Sequence, residues 1–89
     1  MTINDAFEKF ILYKEAAGKT TKTVKSYRDI LHVFFKFYSS DNDISQLTED
    51  DILRYCAYIN KKYTSTATKA TYLRHLRSFI HWCNDKAYI

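Results

Sequence analysis

A chain of 89 residues with no proline and one glycine, Gly18, has few folds open to it. Tight β-turns draw on glycine for backbone at positive φ and on proline for a pre-set φ. Without them, a succession of hairpins is hard to build. Helices need neither, and apolar residues here recur at three- and four-residue steps, the period of an amphipathic helix. The expectation is an all-α domain, with one core and no room for a second over residues 1–89. Fifteen aromatic residues (eight Tyr, six Phe, one Trp) supply large side chains to fill it.

Four helices can be placed by their start signals and stripes. The first begins after Thr2, with Asp5 at the capping-box position, and ends near Gly18; Ile3, Phe7, Phe10 and Ile11 form its stripe. The second runs from about Lys22 to Tyr38, capped by Thr20 or Thr21, with Val24, Tyr27, Leu31, Phe34, Phe35 and Tyr38 inward. Ser39 to Gln46 reads as a polar loop, pinned by Ile44 and Leu47. Thr48 followed by Glu49, Asp50 and Asp51 opens the third helix, because acids favour the positive end of the helix dipole. Its expected stripe is Ile52, Leu53, Cys56 and Ile59. The fourth helix begins after Ser65 or Thr66 and continues to about Asn84, with Leu73, Leu76, Phe79, Ile80 and Cys83 inward.

The second and fourth helices open on the same phrase. Residues 20–31 read TTKTVKSYRDIL and residues 65–76 read STATKATYLRHL, and the register continues from Phe34 to Phe79. Both copies start with hydroxyl residues and both are basic. Residues 19–38 set Lys19, Lys22, Lys25, Arg28 and Lys36 against Asp29 alone, a net charge of +4. Residues 61–89 set Lys61, Lys62, Lys69, Arg74, Arg77 and Lys86 against Asp85, a net of +5. Residues 39–60, with five acids against Arg54, carry −4. A total of +4 thus hides two cationic helices and one anionic one, an asymmetry that suits a polyanionic partner.

Helical geometry puts Lys22, Lys25 and Lys36 opposite the second stripe, with Asp29 among them. On the fourth helix Thr71, Arg74 and Ser78 face outward, and Ala67 and Ala70 keep that face low enough to approach a groove. Lys69 resists this reading, because it falls on the core side of its wheel; snorkelling from the exposed first turn is one way for it to reach the surface. A lysine face opposite an apolar stripe is most often simply solvated; two such helices with matching starts shift the balance towards a binding surface. Tyr63, in the basic loop before the fourth helix, either touches a sugar or phosphate or packs on its neighbours.

Other chemistries find no support. His75 and His81 are six apart and do not share a helix face as a zinc pair does. Asp41, Asp43 and Ser45 echo a calcium loop, but Gln46 replaces its turn glycine and Ile52 its bidentate glutamate. No metal or other cofactor is expected. Cys56 and Cys83 lack metal-ligand spacing and are read as core-facing thiols of a reducing cytoplasm. The start MTINDAFEKF is acidic rather than signal-like, and no apolar run nears membrane-spanning length.

In order, TTKTVKSYRDILHVFFKF, ISQLTEDDILRYCAYI and STATKATYLRHLRSFIHWCNDKAYI resemble the N-terminal core-binding domain of tyrosine recombinases, the phage-integrase family. The elements that carry the likeness are Thr23–Tyr27, Ile44–Asp51, Leu76–Phe79, Trp82 and Ala87–Ile89. The last departs from the family in having Ala87 where glycine is usual. The resemblance implies a compact four-helix, SAM-like bundle that forms half of a clamp around duplex DNA, its second and fourth helices approaching the major groove. The catalytic arginine, lysine, His-x-x-Arg segment and nucleophilic tyrosine of that family belong to a later domain, and none of that pattern occurs here. Tyr88 has no arginine cluster around it.

The reading is therefore a non-catalytic DNA-binding module, one arm of a longer recombinase or a stand-alone arm. Its expected partners are the double-stranded DNA of a recombination site and a C-terminal catalytic domain. The isolated domain is expected to be monomeric, away from membranes, in a bacterial or phage-derived cytoplasm and associated with the nucleoid. The candidate DNA contacts are Lys19, Thr20, Thr21, Lys22, Lys25, Ser26, Lys36, Thr66, Thr68, Lys69, Thr71, Arg74 and Arg77. Thr71 and Arg74 are the candidates for base edges. The rival reading is a helical protein–protein adaptor whose basic helices meet the acidic third helix of a neighbour. A helix-turn-helix regulator fits less well, because a long loop follows Tyr38.

Overall fold

Every helix of this chain starts on a hydroxyl side chain that accepts the N–H three residues on. A computed structural model describes residues 1–89 and places four helices: α1 (Ile3–Ala16), α2 (Thr21–Phe37), α3 (Glu49–Lys62) and α4 (Thr66–Asp85). The caps are Thr2, Thr20, Thr48 and Ser65, which accept from Asp5, Thr23, Asp51 and Thr68. Thr2 with Asp5 and Thr48 with Asp51 complete reciprocal capping boxes. The repeated phrase thus marks two equivalent starts, with Thr20 and Ser65 in the same place. No strand forms, and the architecture is the expected all-α four-helix bundle.

Two of the helices also stop alike. After α1, Gly18 N–H donates to the Glu15 carbonyl and Lys19 N–H to that of Lys14. After α4, Ala87 N–H donates to Asn84 and Tyr88 N–H to Cys83. Both are Schellman turns, which need a left-handed residue just past the cap. Gly18 takes it at φ +82, and Ala87 takes it at φ +59 despite its Cβ. The departure from glycine at position 87 therefore keeps the turn and adds strain.

The core is wholly apolar. Phe79 of α4 is fully buried, with rings of Phe7 and Phe10 (α1) and Phe35 (α2) edge-on to it at 5.8, 5.4 and 6.4 Å. Edge-to-face pairs suit the aromatic quadrupole. α3 closes the bundle with Tyr55 and Ile59, and Tyr55 meets Phe34 of α2 at 4.9 Å. Here one expectation is corrected: Leu53 is 57% exposed, and Tyr55 takes the core position instead. Tyr55 and Ile59 are four apart and share a face, with Ile52 and Cys56 half-buried at its edge; Leu53 lies about 100° round from Ile52.

Ser39 to Gln46 does more than connect. It contains a single 3₁₀ turn (Ile44–Gln46), and Ile44 and Leu47 are buried as anticipated. Its backbone also ties down the start of α1: Ile3 N–H donates to Asn42, Asn4 N–H to Ser40, and Ile44 N–H to Met1. Three of the orphan groups that a helix start and a loop would otherwise leave to water are thereby paired.

Candidate nucleic-acid interface

α2 and α4 touch directly, through a small polar joint. The Ser26 hydroxyl lies 3.3 Å from Nε2 of His75, and Nδ1 of His75 lies 2.9 Å from the Thr71 carbonyl. A carbonyl can only accept, so the proton sits on Nδ1 and Ser26 donates to Nε2. The His75 ring also lies 4.5 Å from that of Tyr27. Burial lowers the pKa of His75, the Thr71 carbonyl partly opposes this, and the nearby positive charges of Arg74 and Lys14 lower it further. A neutral imidazole thus joins the two basic helices.

Around this joint the sequence-derived residues divide. Lys22 is exposed one turn before Ser26 on the same side of α2, and Arg74 is exposed beside His75. Thr71, one turn before His75, is half-buried and donates its hydroxyl to the Ala67 carbonyl at 3.0 Å. That leaves it only an acceptor and a methyl to present outward. Ser26 spends its donor on His75, so both hydroxyls serve the protein first. Ala67 and Ala70 are exposed and keep this face of α4 low.

The helix starts form a second group. Thr20 accepts from the Thr23 N–H and donates to the Thr23 hydroxyl, and Thr68 N–H is held by Ser65. Thr21 and Thr66 are exposed first residues, and their N–H groups, with those of Lys22 and Ala67, have no partner in the chain. Neither α2 nor α4 has an acid in its first turn, whereas α1 and α3 do. The positive ends of the two basic helices are therefore open to anions. Lys19 is exposed beside the first of them, and Lys69 is half-buried at the second.

Two residues stand apart from the joint. Lys36 is roughly 21 Å along α2 from Lys22, beside Lys62 of α3. Arg77 borders the apolar groove between α3 and α4 with Ile52, Cys56 and Ile80. Of the seven basic candidates only Lys25 has an internal partner, Asp29 at 2.6 Å. That pair is largely exposed, and such i,i+4 pairs contribute only about 0.3–0.5 kcal/mol, so it yields readily to a phosphate.

One cation was not singled out from sequence. Lys14 of α1 holds its ammonium over the rings of Tyr27, Phe10 and Tyr13 at 5.0, 5.3 and 5.7 Å, next to the joint. Its signal was its position four residues after Phe10, on the apolar side of α1. Tyr63 resolves to packing: it stacks on Tyr72 at 4.8 Å and their hydroxyls lie 3.1 Å apart. That hydrogen bond is the main reason the Tyr72 phenol is pushed up to about 12. Burial pushes the Cys83 thiol up to about 12 and raises that of Cys56. Tyr88 packs edge-on against Trp82 at 5.6 Å. No helix is long and apolar enough to cross a membrane.

Residues 6–88 match the family model described as the phage integrase N-terminal SAM-like domain. The tyrosine recombinase XerD of Listeria innocua is 28% identical over 81 residues, covering 88% of this chain and 27% of the recombinase. The chain thus spans about a quarter of that relative's length. No solved structure matches. From the helix order, the buried aromatic stripes and a match over nearly its full length, this chain belongs to the phage-integrase N-terminal SAM-like domains of the tyrosine recombinases.

Proposed function

We propose that this domain is the DNA-binding arm with which a tyrosine recombinase holds the duplex of its recombination site, the chemistry residing in a separate catalytic domain. The observation that carries the reading is the joint of α2 and α4. It joins the two helices that carry Lys22 and Arg74, both unpaired within the chain, and each of these helices starts without an acid. Lysines and helix-start N–H groups suit phosphates, and the arginine fork suits the guanine edge. Lys19, Lys22, Lys25 and Lys69 act as phosphate contacts in this reading, with Arg74 at the base edge. Thr71 offers its methyl and its remaining acceptor. So small a footprint binds weakly, on the order of 10⁻⁴ to 10⁻⁶ M at physiological salt.

Heteronuclear chemical-shift mapping with a short duplex tests it. Shifts are expected at the starts of α2 and α4 and at Arg74. Lys22→Glu is expected to weaken binding to every duplex and lower the salt slope by about 1. Arg74→Ala should in addition relax sequence preference, by roughly 1–3 kcal/mol at the base it reads. Self-association at low salt with no DNA-induced shift would instead favour the adaptor, with the acidic first turn of α3 as the partner surface.

A further inference from the structure

A second basic surface lies away from the joint, where the last turns of α2 and α3 come together. Phe37 and Tyr58 are 41% and 37% exposed there, their rings 5.2 Å apart and tilted by 32°. Buried Tyr55 supports both rings from behind, at 5.5 and 6.2 Å. The two rings floor an open cleft of about 380 Å³ whose walls are Lys36 on α2 and Lys62 on α3, with Val33 between. No carboxylate lines it, because α3 keeps its acids at the opposite end. Lys62 rests its ammonium 5.4 Å from the Tyr58 ring and 5.5 Å from that of Tyr63.

Exposed, backed aromatic rings between two cations match the two halves of a nucleotide. A base has a π-face for stacking, and its phosphate carries the charge that lysines seek. A paired base inside a duplex cannot offer its face. We propose that this cleft takes one unpaired nucleobase of a DNA strand, stacked on Phe37 and Tyr58, with Lys36 and Lys62 on the adjoining phosphates. The proposal rests on the reading of the domain as a DNA-binding arm, but uses a different face of it. Both helices end at the cleft, so their carbonyl ends offset part of the lysine charge. Stacking must then carry most of the binding, and truncating a ring should matter more than removing a lysine.

Fluorescence anisotropy with a short labelled oligothymidylate and, separately, a blunt duplex tests it. Phe37→Ala and Tyr58→Ala should each weaken single-strand binding by roughly fivefold or more, with duplex binding changed by less than about twofold. Lys22→Glu should do the reverse. Phe37→Leu and Tyr58→Leu keep apolar volume while losing the stacking face, so they give the same answer if the alanine variants unfold. Folded ring variants that bind the oligothymidylate as the wild type does overturn the proposal. So does thymidine monophosphate competing as well as the strand, which would make the cleft a free-nucleotide site. Ring-dependent binding of an Asp/Glu-rich peptide without strand binding overturns it in favour of a protein partner. Loss of duplex binding alone removes the duplex reading and leaves the cleft standing.

Discussion

Ala87 sits at φ +59, and replacing it with glycine should stabilise the domain. The left-handed conformation costs an L-residue roughly 1–2 kcal/mol through its Cβ and the following carbonyl. Glycine removes that cost but gives the unfolded chain more freedom, which offsets about 0.4–1 kcal/mol. Taking both quantities near the middle of their ranges, the net expectation for Ala87→Gly is about 0.5–1 kcal/mol of added stability. For a domain of 60–100 residues, 1 kcal/mol moves Tm by about 4–8 °C, so the rise should be about 2–8 °C. The hydrogen bonds from Ala87 and Tyr88 to Asn84 and Cys83, and the Tyr88–Trp82 contact, survive the change because none uses the Cβ. Gly18 is the reciprocal control. It holds φ +82 in the same turn, and an added Cβ would meet nothing within 4 Å. Gly18→Ala therefore measures backbone strain without a clash, and should lower Tm by a similar amount. Thermal unfolding followed by circular dichroism, with urea titrations to verify equal m-values, gives both numbers. A Tm for Ala87→Gly equal to or below that of the wild type would mean that the left-handed turn after α4 does not form in solution, and the strain argument would fail with it.

Two further perturbations probe the scaffold. Thr48→Ala removes the hydroxyl that accepts from Asp51 N–H and donates to the Asp51 carboxylate, while the backbone N–H of residue 48, the larger cause of that carboxyl's lowered pKa, still donates to it; it should cost about 1 kcal/mol in urea unfolding. His75 is held below its ordinary pKa by burial, so the folded state takes up its proton less readily than the unfolded state. Its contribution is full above the unfolded value of about 6.5 and is lost as pH falls through the folded value. Tm should therefore drop as pH is lowered from 7 to 5, and the drop should be smaller in His75→Phe; equal pH profiles would exclude this titration.

Secondary structure was legible because its signals are local. Hydroxyl caps, acids in a first turn and apolar steps of three and four each act within one or two helical turns. Those signals located all four helices, with the expected ends of α1, α2 and α4 within about two residues, and marked Ile44 and Leu47 as loop anchors. Leu53 shows where local reading stops. Leu53 and Tyr55 both lie near an apolar face, and only the position of Phe34 on α2 decides that Tyr55 goes inside. The candidate contacts divide for a similar reason. A helical wheel put Lys36 with Lys22 because both oppose one stripe, but it carries no information about distance along the axis or about the neighbouring helix.

The amino-acid order alone determined an all-helical bundle, the matching starts of α2 and α4, and the separation of charge between helices, since these follow from backbone chemistry and short-range periodicity. Tertiary packing decided the rest. It set Ser26 against His75 so that α2 and α4 meet, placed Lys14 among three rings, and left Phe37 and Tyr58 uncovered between two lysines. Such contacts join residues far apart in the chain, and their geometry depends on how whole helices cross, which no local pattern encodes.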